Sequence, residues 1–408
     1  MIPSLIRHLM THTLRSLWLA PTLALVAHAD PATTPPPLKT ETLKGMYASA
    51  RFRPDDWKIL KAPKEFMGFL DQIYETMAEL TANYPPMELR GYENLGAWGT
   101  AGMDGINIDW TCVPPFMNDF NTGKIEFGFV HEMGHVFDAR DFPRWYITPG
   151  CGGETFANIK LSYALDRLLL KDNHYRIEFG PGGLQTGYDF NNSFYLNAGK
   201  NYLASDTPWD KMEVDDLHSF HLTLIRKYGW DVYKKWFRAY AIIEAQKDGR
   251  APTGVSDPVR INLVCALLSM FSGENLVTDF QQWRFPVTDK RVLEVATRYD
   301  LKSVCAATDT QFAKEYADGR VHLDPLSLQV RVNKAADGKV YGTIFSILRS
   351  NPGVVVRYTL DNSPVTAASK IDSGTPFPLP VSATVKAAMF TTGNAQPVLT
   401  TASKVAPN

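Results

Sequence analysis

A strong charge of either sign is missing from this chain. Its 42 lysines and arginines stand against 43 acids, a net charge of −1, and the two signs are mixed without a basic tract. Nothing in that balance points to nucleic acid or an anionic membrane surface as partner. Cysteine is scarce as well. Cys112, Cys151, Cys265 and Cys305 form no C-x-x-C pair, which argues against a cysteine zinc site. In an exported protein they could pair, and a Cys112–Cys151 bridge would enclose the motif discussed below; buried free thiols are the alternative. Long apolar runs are also absent. No segment after residue 30 keeps eighteen apolar residues together, so no membrane-spanning helix is expected there.

What is present begins with a leader. Arg7 and Arg15 precede "SLWLAPTLALVA", and "AHA" at 27–29 offers a small-x-small cleavage pattern. Residues 1–29 therefore read as a secretory signal peptide, which places the protein outside the cell or in the periplasm. The Pro/Thr-rich stretch from 30 to 44 reads as an extended linker. From 45 to 308 the apolar residues recur mostly at helical spacing. Pro63 interrupts the first such stretch and Gly229 divides a later one into two helices. The segment 88–113, rich in glycine and aromatics, is a candidate for strands. The glycine-rich "GPGGLQTGYDFNNSFY" (180–195) lacks a following G-K-S/T and reads as a loop at the cleft. From 320 to 404, short β-rich runs alternate with Asn, Asp, Gly and Pro turns, as in a small β-sandwich. The expected fold is multidomain, a mainly α-helical (α+β) domain followed by that sandwich.

The chemistry concentrates in "FVHEMGHVFDARD" (129–141), where His131, Glu132 and His135 stand as H-E-x-x-H. On a helix, residues i and i+4 share a face, so the two imidazoles can meet one ion while Glu132 is offset toward a water. Catalytic zinc requires a third protein ligand and an open position. Asp141 lies six residues past His135, but the plan that uses this offset has a glycine where this chain has Asp138, and "VFDAR" reads as continuing helix. Glu154 is the better third ligand. It follows "PRWYITPGCGG" at the start of the next helix, and Asn158, one turn on, could orient a ligand. His218 and His221, three apart on another helix, lack an acid at matching spacing beyond Asp215. Tyr146, His174, Tyr175, Tyr188, His218 and His221 are all available as oxyanion donor, and the sequence does not choose among them. The cluster Trp230, Tyr233, Trp236, Phe237 and Tyr240 reads as helix packing rather than as a sugar platform.

"HEMGH" followed by "GGETFANIKLSYA" resembles the enhancin/mucinase-type zinc metallopeptidases, peptidase family M60. "LIRKYGWDVYKKWFRAY" and "CALLSMFSGENLVTDFQQWRFPV" extend the resemblance over roughly residues 45 to 300. It implies a zincin-like domain with His131, His135 and Glu154 as Zn2+ ligands and Glu132 as general base. It further implies secreted enzymes that cut glycoproteins, mucins above all, often beside an O-linked glycan. Many such enzymes carry carbohydrate-binding modules ahead of the peptidase, and only a short linker stands there in this chain. The tail "VVVRYTLDNSPVTAASKI" resembles the immunoglobulin-like C-terminal domain of chitobiases and β-hexosaminidases, through Tyr358, Thr359, Asp361 and Pro364, with Asn362 in place of a glycine. Two function classes stay open: a zinc endopeptidase of glycoproteins, and a glycan- or glycoprotein-binding protein on a peptidase scaffold that no longer cleaves. The presence of Glu132 favours the first, because mere binding needs no base.

Overall fold

A computed structural model describes residues 39–102, 105–137, 152–168, 174–178, 183–246, 256–335, 338–380 and 382–405. The chain opens with strands β1 (Glu41–Lys44) and β2 (Ala48–Phe52), then helices α1 (Pro54–Trp57) and α2 (Pro63–Thr81). Strands β3 (Met87–Tyr92), β4 (Gly99–Gly102) and β5 (Gly105–Asp109) complete a five-stranded sheet of order β1-β2-β3-β5-β4. Strands β2, β3 and β5 run parallel, while β1 and β4 are antiparallel to their neighbours at the two ends. Parallel neighbours need a crossover, and α2 supplies the one between β2 and β3.

Two expectations change here. Residues 41–44, read as linker, pair with β2 from Glu41↔Phe52 to Lys44↔Ser49. Their turn is pinned to α2 by Asp71, whose carboxylate accepts the amides of Met46, Tyr47 and Ala48. The reading of residues 45–308 as mainly helical understates this sheet, so the fold is mixed α/β. Alternation in strands of four to six residues is too short to stand out against flanking glycines and charges. Pro63 does divide the first helical stretch, and it does so as an opening residue of α2, where its missing N–H costs nothing.

The middle of the chain holds α3 (Val113–Asn121), β6 (Lys124–Ile125), α4 (Phe127–Val136), α5 (Gly152–Leu168) and β7 (Arg176–Ile177). After these come α6 (Gly187–Phe190), a π-helical turn over Asn191–Tyr195, and α7 (Leu196–Leu203). The stretch 180–195, read as loop, is thus helical from Gly187 onward. Gly187 serves close packing: a Cβ there would lie 2.4 Å from the Leu165 carbonyl oxygen of α5. Helices α8 (Val214–Tyr228) and α9 (Trp230–Ala245) meet at Gly229, whose φ of 87° requires glycine. Then follow α10 (Asp257–Ser272), α11 (Val277–Gln282), α12 (Asp289–Arg298) and α13 (Leu301–Ala317), so helix continues past residue 308. Trp230, Tyr233, Trp236, Phe237 and Tyr240 are all buried, as core packing requires.

Seven strands close the described chain: β8 (Leu328–Lys334), β9 (Val340–Ser346), β10 (Val354–Thr359), β11 (Lys370–Ile371), β12 (Phe377–Pro378), β13 (Thr384–Thr391) and β14 (Leu399–Lys404). They form two sheets, β11-β10-β13-β14 and β12-β9-β8. Tyr358 of one stacks on Phe377 of the other, and Asn362 adopts a φ of 65° at the place of the expected glycine. These sheets do not hang from a tether. Lys235 of α9 donates to the Ile347 carbonyl, Asp231 accepts from the Ser327 hydroxyl and the Asp324 amide, and one apolar core runs from Ala48 to Val405. The β unit is thus joined to the helices through buried contacts. No helix among the described residues is long and apolar enough to cross a membrane. Cys265 and Cys305 are buried free thiols, the alternative to pairing; Cys151, the candidate partner of Cys112, lies outside the described residues.

Candidate metal centre

Helix α4 carries H-E-x-x-H because its inner face alternates Phe129, Val130, Met133 and Val136 into the core, which leaves His131 and His135 on the side toward α5. Gly134 sets how close the two helices come. A Cβ on it would lie 2.6 Å from the carbonyl oxygen of Ala157 and 2.9 Å from its Cα. Only glycine admits that approach. Glu154 sits in the first turn of α5, where the helix dipole favours an acid.

The approach brings three donor atoms together. His131 Nε2 lies 3.1 Å from Glu154 Oε2, His135 Nε2 lies 3.3 Å from the same oxygen, and the two Nε2 atoms are 3.2 Å apart. Zinc–nitrogen and zinc–oxygen bonds of about 2.0–2.1 Å at tetrahedral angles give a ligand–ligand edge of about 3.3 Å. The three atoms thus match one face of such a tetrahedron. Among the described residues this is the group of histidine, cysteine and acidic side chains able to hold a metal.

Electrostatics and neighbours fit the arrangement. Hydrogen bonding with His131 and His135 holds the Glu154 carboxyl well below the ordinary carboxylate range, overriding burial. Burial alone would lower His131, yet its contacts with Glu154 and Asn158 raise it instead. Asn158 Oδ1 lies 2.7 Å from His131 Nδ1. With a metal bound, Nδ1–H donating there would leave the Nε2 lone pair for the ion, the tautomer a metal ligand needs. Phe127 stacks on the His131 ring from the preceding turn. Glu132 is raised mainly by burial, against the pull of the two histidines, and the Ala101 amide of β4 hydrogen-bonds it.

Other candidates fall elsewhere. Helix α4 is given as far as Val136, and the rest of the expected continuation, residues 138–140, lies outside the described residues, as do Asp141 and Tyr146. His218 and His221 do not form a second metal site. Both are fully buried, with His218 on Ser162 and His221 on Tyr233, and burial holds both well below the usual histidine pKa. Tyr175 donates to Glu65, His174 lies near the same carboxylate, and Tyr188 packs under the Arg226 guanidinium. Sequence reasoning passed over Ala101, Phe127 and the reason for Gly134. It also passed over the period-four polar series Glu154, Asn158, Ser162 and Asp166, which was open to reading along α5.

Two imidazoles and a carboxylate beside a free glutamate, held between two helices next to a mixed sheet, define the class: a metallopeptidase-type hydrolase. Residues 38–284 match the family described as peptidase M60, enhancin and enhancin-like. That is more than half of the chain, and the chain belongs to this family. Comparison with curated proteins found no significant match. Similar solved structures include a mutant of a functionally unknown conserved protein from Bacillus anthracis str. Ames, at 16% identity over 64% of this chain, TM-score 0.49. This chain spans about half of that one, 51%. The non-mutant Bacillus protein matches at 14% identity over 90% of this chain and 72% of that one, TM-score 0.49. The M60 catalytic domain of Clostridium perfringens ZmpC, in complex with the sialyl T antigen, matches at 13% identity over 90% and 69%, TM-score 0.41.

Proposed function

We propose that this protein is an exported zinc endopeptidase that cuts glycoproteins, with mucin-type O-glycosylated segments as the substrate class. The observation that carries the metal chemistry is the triangle of His131 Nε2, His135 Nε2 and Glu154 Oε2 with edges of 3.1, 3.2 and 3.3 Å. Export rests on the leader at residues 1–29, which lies outside the described residues, and the substrate class rests on family membership.

Zinc held by His131, His135 and Glu154 would polarise a scissile carbonyl and make water a nucleophile near neutral pH. Glu132 takes the proton of the attacking water and returns it to the leaving amine. Its burial raises its pKa, which brings a carboxylate base nearer the working pH, and the Ala101 amide fixes its position. Strand β4 ends the sheet and lies beside α4. An extended peptide laid along it would pass Glu132, pairing its backbone as an added strand does. The C-terminal sheets, read as an immunoglobulin-like unit, serve as a structural support in this scheme, consistent with their welded contacts to α9.

The test is mass spectrometry of an O-glycosylated mucin-type peptide and its deglycosylated twin after incubation with purified protein, with Glu132→Gln alongside. Cleavage of the glycosylated form alone, lost with Glu132→Gln, is the expected result. Cleavage of both forms removes the glycan requirement. No cleavage by zinc-loaded protein across glycosylated and bare substrates overturns the peptidase reading.

A further inference from the structure

Behind the metal face of α5 lies a buried polar network that the proposed chemistry does not use. The residues at every fourth position of α5 are Glu154, Asn158, Ser162 and Asp166, so they share one face. The first meets the histidines and the second holds His131. Ser162, fully buried, contacts both Asn191 Oδ1 at 2.8 Å and His218 Nε2 at 2.9 Å. Asn191, on the π-helical turn, donates from Nδ2 to the Ser162 carbonyl and to Asp166 Oδ1. Asp166 also receives Arg226 through both terminal nitrogens and the Trp230 indole N–H.

The proton positions follow in order. Both Nδ2 bonds of Asn191 go to acceptors, so its Oδ1 must accept. The Ser162 hydroxyl therefore donates to Asn191, and its oxygen can only accept from the histidine. That makes His218 the neutral Nε2–H tautomer. Complete burial, which pushes His218 well below the usual histidine pKa, keeps it neutral. The ring is clamped face to face on Tyr195, with centroids 3.8 Å apart and planes 6° from parallel. The π-helical turn thus supplies both Asn191 and Tyr195, and such turns recur at functional sites. His218 Nδ1 has no hydrogen-bond partner and is buried. Leaving that atom bare costs stability, and the network retains the histidine nonetheless.

We infer that the Asp166–Asn191–Ser162–His218 network is a positioning device that sets the rotation of α5 and with it the placement of Glu154 and Asn158 at the metal. The lever is geometric. With side-chain tips about 5–6 Å from the helix axis, a 10° rotation moves them by about 1 Å. A metal or catalytic constellation tolerates about 0.5 Å. The hydrogen bonds of Ser162 act eight residues, about 12 Å along the axis, from Glu154. His218 and Ser162 are positioning residues, since neither contacts the ligand atoms. The inference rests on the metal reading proposed above.

The test uses the full chain stripped of metal, with cobalt(II) as probe, its visible absorption reporting coordination and a competing chelator reporting affinity. His218→Phe keeps a flat ring on Tyr195 but deletes the donor to Ser162. His218→Gln keeps an N–H donor but loses the ring. Ser162→Ala removes the same link from the other side with a smaller change in volume, and serves if His218→Phe does not fold. Thr308→Ala, which deletes a buried hydroxyl in α13, controls for general loss of stability. The expected result is a cobalt affinity lowered about 10–100-fold, with an altered spectrum, in His218→Phe and Ser162→Ala. His218→Gln and Thr308→Ala should stay near the wild-type value. Affinity that follows Tm across all four variants, or that stays at the wild-type value in Ser162→Ala, overturns the positioning role. A wild-type chain that takes up no cobalt overturns the metal centre itself, and the inference with it.

Discussion

Replacing Gly134 with alanine tests the geometry at its narrowest point. The added Cβ would stand 2.6 Å from the Ala157 carbonyl oxygen, whereas ordinary contact begins at 3.4 Å. The shortfall is 3.4 − 2.6 = 0.8 Å, and the obstacle is helix backbone, which cannot rotate away. Helices α4 and α5 must separate by about that amount or shear. The two cross-helix ligand distances, 3.1 and 3.3 Å, would then open toward about 4 Å, past the edge of about 3.3 Å that a tetrahedral zinc site accepts. The His131–His135 distance lies within α4 and should not change. Overpacking costs about 1–3 kcal/mol, and the better helix propensity of alanine returns up to about 1 kcal/mol. Fold stability should fall little. A displacement near 1 Å at a reacting centre can cost about 100-fold in rate. The expected signature is therefore a large loss of zinc affinity and of peptide cleavage with a small loss of Tm in the metal-free protein. Chelator competition, cleavage assays and thermal melts of metal-free and zinc-loaded protein measure all three. A Gly134→Ala protein that binds zinc and cleaves like the wild type would refute the argument that this glycine sets the ligand geometry.

Three further outcomes are expected. Asn158→Ala leaves His131 Nδ1 without its acceptor and should weaken zinc about 10–100-fold, read by chelator competition. Lys234→Met should cost about 3–5 kcal/mol in urea unfolding, because Glu79 and Asp231 are buried and each lies 2.8 Å from the lysine Nζ. Burial would raise the Glu79 carboxyl, but Lys234 overrides this and takes it down to about 2. A depressed carboxyl pKa contributes stability above its unfolded value near 4.3, lost as pH falls toward 2. The urea midpoint of the wild type should drop across that window, and Lys234→Met should flatten the drop; equal slopes would count against the pair. Ending the chain at residue 327 removes Ile347 from Lys235 and the β-strand side of the shared core. Such a chain should lose its cooperative melt, whereas a freely tethered accessory domain would leave it intact.

Much of the centre was legible in the sequence because its chemistry is local. Four residues is one helical turn, so His131 and His135 share a face wherever the helix lies, and Glu132 is offset beside them. The opening of α5 at Glu154, the division at Gly229 and the β-rich tail also follow from short-range pattern. Nonlocal pairing was not legible. The parallel set β2, β3 and β5 joins strands separated by two helices in one case and by strand β4 in the other, and strands this short carry little periodic signal. The tertiary structure alone decided that Glu154 meets the histidines. That depends on Gly134 lying against the Ala157 backbone, and a glycine inside a helical pattern does not announce which neighbour it admits. The same holds for the tautomers of His131 and His218, which are set by Asn158 and Ser162 across helix contacts. It holds also for the β unit, whose attachment rests on the Lys235, Asp231 and Ser327 side chains, buried only once α9 is in place. Spacing along one helix decides which side chains can act together, and packing between helices decides whether they meet.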